Sequence, residues 1–361
     1  MFQWQRTHII DELERHKIEI ETFNPLLYSN VEEANEKVVE VVSNGNYDLF
    51  MSNTGYYKML FVDTLERIKK MGVPTFTISW DNLMAPYLDE ILAPHFDLMW
   101  LTAKETIKLY KNWGANYFFA PYAANPFTYS YSSLPINRTV CFIGTPHGSR
   151  SKMINTLTQA GIQVDLYYGR DSHNKEQSDP IIPIKYSIIH PSVYESNFKR
   201  LFFAEGRKLL LGSIVNRIKG YTQIDENDKL SRHFGLPHSE MVKTYSSAAL
   251  SLASTSASHT DALSVPLRII NLRNFEIPMC GGIELCKYSE ELANYFEEGK
   301  EILFYKDSCE LIDKANYYLN RASEQELVGI KQAARKRAEA EHTWWKRFTK
   351  AFDILGLRYE K

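Results

Sequence analysis

Thr139-Val140-Cys141-Phe142-Ile143-Gly144-Thr145-Pro146-His147-Gly148-Ser149-Arg150 reads as an apolar, β-branched strand, a turn marked by Gly144, Pro146 and Gly148, and the opening of a helix. That helix runs to about residue 160 and stops at Gly161. Ile162 to Tyr168 is then extended again and ends at Gly169. A strand, a tight turn, a helix and a second strand form the unit from which parallel sheets covered by helices are built. Downstream, Ala248 to Ala253 and a stretch near residue 283 read as further strands. Helices are expected at about 268 to 279, 289 to 296, 308 to 320, 323 to 340 and 342 to 355, with mainly helical material from 192 to 218.

Upstream the rhythm is the same. Residues 3 to 15 read as an amphipathic helix, Lys17 to Phe23 as extended, 31 to 43 as a helix, and Tyr47 to Met51 as a strand. A helix at about 60 to 70 precedes the strand Thr75 to Trp80. Asp97 to Thr102, a helix over 103 to 113 and Tyr117 to Pro121 complete five αβ steps. Between the two series lies Asn125 to Asn137, rich in Pro, Ser, Asn and Tyr and without periodicity, which reads as a linker. The expected fold is therefore α/β with two Rossmann-like domains, over 1–130 and 137–341. The helix from 342 onward carries Trp344, Trp345, Phe348 and Phe352 on one face, and residues 342–361 are expected to pack back on the first domain. A Rossmann-like domain starts with a strand and a Gly-rich turn, whereas this chain opens in a helix. Either the natural start lies upstream of Met1 or the usual first strand is lost.

The chain has 361 residues, 44% hydrophobic and 24% charged, enough for two sizeable cores. A net charge of −2 with interspersed signs argues against a nucleic-acid partner and allows at most peripheral membrane contact. Four cysteines without a C-x-x-C pair, no signal-peptide pattern and no apolar run of about 20 residues point to a cytoplasmic protein. The ten histidines include no H-x-x-x-H pair, and no Asp-x-Asp triplet occurs, so no metal site and no cofactor are expected.

The densest motif is Arg273-Asn274-Phe275-Glu276-Ile277-Pro278-Met279-Cys280-Gly281-Gly282, followed by Glu291-Leu292 to Ile302 and by Ala340-Glu341-His342-Thr343. Here the chain resembles the group-1 glycosyltransferases of the GT-B fold, and most closely their CgeB-like spore-protein branch, over about 220 residues from Thr139. The resemblance implies a metal-independent transfer of a sugar from a nucleotide-diphosphate-sugar donor to an unidentified acceptor, in the cleft between the domains. It makes Glu276 the carboxylate that holds the donor ribose, a task suited to two acceptor oxygens; a partner for a helix dipole is the alternative. The first glutamate of the family's two-glutamate motif falls at position 268, where this chain has Arg268, which could instead approach the donor phosphates. Glu284 is expected to lie on a strand with no catalytic part.

Other donor-side candidates follow from position. Gly144, Arg150 and Lys152 sit at the first βα turn, where backbone N–H groups and a helix end can face a diphosphate. Pro237 and His238 lie in a loop resembling the one that reads the nucleotide base, His259 lies in a Ser/Thr-rich loop, and Arg273 opens the main motif. On the acceptor side, residues at strand ends are favoured: Asn53, Tyr56 and Asn82 as contacts and Asp81 as catalytic base, or equally as a helix N-cap. A sugar-nucleotide epimerase on the same fold and a binding scaffold without turnover are the competing readings.

Overall fold

The computed structural model describes residues 5–52, 59–169, 191–219 and 223–360. The described residues divide into two compact units, the first drawn from Met1–Pro121, Ser178–Leu210 and Trp345–Lys361, the second from Tyr122–Gln177 and Leu211–Trp344.

In the first unit β1 (Phe50–Ser52), β2 (Thr75–Ser79), β3 (Leu98–Leu101) and β4 (Tyr117–Phe119) form a parallel sheet in the order β1-β2-β3-β4. Every residue of β2 and β3 is buried, which is why these segments read as continuous rather than alternating runs. Lys17 to Phe23, read as extended, joins neither sheet among the described residues. The helix Trp344–Leu355 does return to this unit. Phe348 meets Trp100 and Phe76 edge-on, with ring centroids 5.7 and 6.1 Å apart. Buried Glu12 accepts the Trp345 backbone N–H at 2.8 Å, and His16 stacks flat on the Trp345 ring.

The second unit holds β5 (Asn137–Ile143), β6 (Val164–Tyr167), β7 (Leu230–His233), β8 (Ala248–Ala253), β9 (Glu284–Lys287) and β10 (Leu303–Tyr305), all parallel, in the order β10-β9-β8-β5-β6-β7. The chain starts in the middle, winds outward to β7, and returns beside its starting strand at β8. This is the doubly wound dinucleotide-binding order, whose direction reverses between β5 and β8.

The division falls at Pro121 and not near 130, for a packing reason that composition hides. The Ala124 N–H donates to the His342 carbonyl at 3.0 Å. Asn125 and Tyr129 are buried, and Arg335 donates to the carbonyls of Pro126, Tyr129 and Met279. The stretch expected to be a linker is thus bound into the second unit, and residues 191–210 belong with the first.

Candidate functional site

In an open α/β sheet a ligand finds room beyond the carboxyl ends of the strands where the winding reverses. In the second unit these ends belong to β5 and β8, and the loops that follow them meet. Gly148, with φ 61°, is so close to the β8 loop that a Cβ there would lie 3.2 Å from the Ser258 carbonyl oxygen and 3.4 Å from His259 Nδ1. Ser149 and Ser254 hydroxyls are 3.3 Å apart across the same seam, and the rings of His147 and His259 are 6.2 Å apart. The helix Ser149–Gln159 starts here with no side-chain cap and no acidic residue in its first turn. Its amide groups and its positive end are therefore available to an anion. His259 Nδ1 is buried and meets no hydrogen-bond partner.

Arg150 stands beside this helix end, half-buried, donating to the Thr145 carbonyl at 3.2 Å. Burial, and then the charge of Arg273, lower its pKa. The two guanidinium groups thus raise the potential of one neighbourhood, an arrangement that an anion would relieve. His147 is likewise held below its ordinary pKa by burial, with Arg150 and His259 adding to the effect.

Arg273 and Glu276 come from the short helix Arg273–Met279. Glu276 is 3% exposed; one of its oxygens pairs with Arg273, and the other accepts the Tyr129 hydroxyl at 2.7 Å. Burial alone would lower the Arg273 pKa, but the Glu276 carboxylate overrides it and the net direction is upward. Tyr129 is pushed well above its ordinary range by burial and by the Glu276 charge. Its ring stands edge-on to His238, with centroids 4.8 Å apart, at the start of the helix His238–Ser247. Pro237 is the N-cap of that helix, which has no side-chain cap. His238 Nε2 is buried without a partner, and burial holds the ring below its usual pKa.

The structure therefore brings together Gly144, Arg150, His238, His259, Arg273 and Glu276, and Tyr129 joins them without having been singled out in the sequence. Its only signal was a tyrosine in a stretch that read as linker. Lys152 is exposed on the helix Ser149–Gln159. Arg268 donates through Nη1 both to Asp261 and to the Ser256 hydroxyl, each at 2.9 Å, so part of its charge is already answered within the unit. It also lies outside the helix, bridged antiparallel to Ser256. Glu284 is wholly buried on β9, where Asn274 donates to it at 2.6 Å.

In the first unit Asp81 follows β2, is exposed and has φ 53°. It starts a turn, its carbonyl accepting the Met84 N–H at 2.7 Å, so the helix it was expected to cap does not form. Asn82 is a correction. Its carboxamide is buried and donates to the Ala103 carbonyl (2.9 Å) and the Thr106 hydroxyl (2.6 Å). It also accepts from Thr102 and the Ala103 N–H, both at 2.9 Å. With every polar position taken, it ties two loops together and has nothing left for an acceptor. Asn53 and Tyr56 lie outside the described residues.

Residues 199–353 match the sequence family described as Glycosyl transferase-like. The fold is shared with a glycosyltransferase from Rickettsia africae (TM-score 0.55, 10% identity, 96% of this chain and 86% of that one). It is shared too with Anabaena HepE in complex with UDP-glucose (0.53, 13%, 95% and 87%). An alpha-glucosyltransferase in complex with UDP-glucose and abasic-site DNA is similar as well (0.57, 12%, 90% and 84%). No curated protein matches the sequence. The two parallel sheets share the GT-B fold, and the glycosyltransferase-like match over residues 199–353 marks the chain as an enzyme. Among the described residues no helix is long and apolar enough to cross a membrane.

Proposed function

We propose that the enzyme transfers a sugar from a nucleotide-diphosphate-sugar donor bound in the second unit, as a member of the CgeB-like branch. The carrying observation is the seam at the reversal of the sheet, where an uncapped helix end, Gly148 and Arg150 adjoin the Arg273–Glu276 pair. In the transfer, the bond between the sugar C1 and the diphosphate oxygen breaks and its electron pair leaves with the diphosphate. The acceptor oxygen bonds to C1 and gives up its proton. Stabilising the departing charge is the main demand, and helix amides with Arg150 and Arg273 would meet it without a metal. Glu276 would take the ribose hydroxyls on the lone pairs that Tyr129 and Arg273 leave, with Tyr129 holding the carboxylate in place. The two relatives carrying UDP-glucose favour a uridine donor. Asp81, the carboxylate immediately beyond β2, would accept the acceptor proton.

Thermal melting of the purified chain with a panel of nucleoside diphosphates tests the donor site, because only a ligand of the native state raises the midpoint. A rise with one base family that Arg150→Ala and Glu276→Gln diminish, and that persists in EDTA, is the expected result. No rise with any nucleotide at millimolar concentration would overturn the assignment. For Asp81→Asn, turnover should fall by roughly 10²- to 10⁴-fold while the nucleotide-induced rise stays unchanged. Undiminished turnover would remove Asp81 from the reaction.

A further inference from the structure

The helix Val193–Arg200 and the turn after it expose an unusual row of large apolar side chains in the first unit. Tyr194 is 88% exposed and Phe202 69%, with Val193, Phe198 and Leu201 also more than half exposed. Tyr194, Phe198 and Leu201 or Phe202 are spaced i, i+4 and i+7 or i+8, which places them along one side. Phe198 and Phe202 touch edge-on at 5.1 Å. Polar ties hold this helix from the other side: Lys199 pairs with Glu90 at 3.3 Å, and Arg200 donates to the Met84 carbonyl at 3.3 Å. Gly206 sits against the Arg200 backbone so closely that any side chain there would collide with it. Exposed Ile91 adjoins Glu90. The apolar face is therefore fixed outward. Contiguous exposed apolar surface on this scale marks a contact site.

We propose that this face docks the enzyme on an anionic lipid surface. Charge selects the partner. Residues 193–208 carry Lys199, Arg200, Arg207 and Lys208 against Glu195 and Glu205, and with Lys199 paired to Glu90 a positive excess remains, with Arg207 placed beside the apolar row by its bond to the Leu201 carbonyl at 3.0 Å. An apolar, aromatic face flanked by Lys and Arg, whose stems lie along apolar surface while their charges stay wet, is the pattern of a helix lying in a bilayer interface. Phenylalanine and tyrosine enter the acyl and headgroup boundary, and Arg207 and Lys208 meet the lipid phosphates. The inference is independent of the donor site.

Co-sedimentation of the full chain with phosphatidylcholine vesicles, with and without phosphatidylglycerol, tests it. The expected result is pelleting with the anionic vesicles only, weakening as salt is raised. Phe198→Ser with Phe202→Ser should reduce partitioning by about tenfold or more with an unchanged melting temperature. Arg207→Glu with Lys208→Glu, which leaves the apolar residues in place, should reduce anionic binding equally. Wild-type protein that stays in solution with both vesicles, or pellets equally with both, overturns the proposal. So does a concentration-dependent dimer that the phenylalanine variant abolishes without any lipid binding, since a second copy would then be the occupant.

Discussion

Tyr129 shows how one hydroxyl can organise a charged site. Glu276 has its other oxygen on Arg273, so the tyrosine fixes which way the carboxylate faces. Phenylalanine at this position keeps the ring against His238 and removes only the donor. Tyr129→Phe is expected to weaken nucleoside-diphosphate binding by roughly tenfold, the scale of one hydrogen bond to a charged group, measured by titration calorimetry. Unchanged affinity would make Tyr129 a packing residue only. Glu276 was legible in the sequence because a carboxylate between Phe275 and a Cys-Gly-Gly stands out. Tyr129 was not, because its burial depends on Arg335, which lies far along the chain and grips the carbonyls around it. The Asp261 partner of Arg268 was hidden for a related reason, since nothing in the sequence around either residue announces the pair.

At the scale of elements, the segments legible from sequence include the uniformly buried β2, β3 and β8, all apolar or β-branched or small throughout. The two edge strands of the second sheet escaped. β7 has the sequence Leu-Ser-Arg-His with two residues exposed, and β10 is three residues long. Each sits at a margin of the sheet, where half the ladder is missing; β7 lacks burial as well, while β10 is buried but too short to show a pattern. The helix Arg273–Met279 ends because Pro278 has no amide to donate and Gly281 turns the chain at φ 67°. Gly281 is constrained doubly, since a Cβ would also strike the Tyr131 ring. Gly281→Ala is therefore expected to cost more than the ~1 kcal/mol of a strained backbone alone and to lower the melting temperature by several degrees. A melting temperature equal to wild type would show that the ring yields freely. The Ala340-Glu341-His342-Thr343 motif also proves to be packing: the His342 ring lies among Phe275, Tyr295 and Phe296, and its Nε2 faces the Tyr295 carbonyl at 3.2 Å.

For the molecule as a whole, buried ionisable groups set a pH dependence. Burial raises the Glu284 carboxyl to about 7, with Asn274 and Cys286 partly opposing it. The native state then binds a proton more tightly than the unfolded chain does. The neutral acid is at home in the core below the unfolded value near 4.5, and stability is lost as pH rises from there through about 7. Glu284→Gln keeps the shape and an acceptor for Asn274. It should leave stability at pH 5 little changed and raise it at pH 8, by on the order of 3 kcal/mol as an upper figure. Melts across this range check it; parallel curves for both proteins would refute the assignment. Lys331 works in the opposite sense. Burial lowers it to about 8 while it holds the Ser246 and Ala248 carbonyls, so its contribution improves as pH rises above that value.

The helix Trp344–Leu355 carries a consequence for biosynthesis. Residues are made in order, so Trp345 and Phe348 leave the ribosome only after all of the second unit, although they complete the first. Until then Phe76 and Trp100 lack their cover and Glu12 lacks the amide it caps. The nascent first unit therefore waits, with an apolar face exposed, while the second unit is already able to fold. A stalled or clipped chain that loses these last helical turns would be marked for chaperones by its beginning, not by its end.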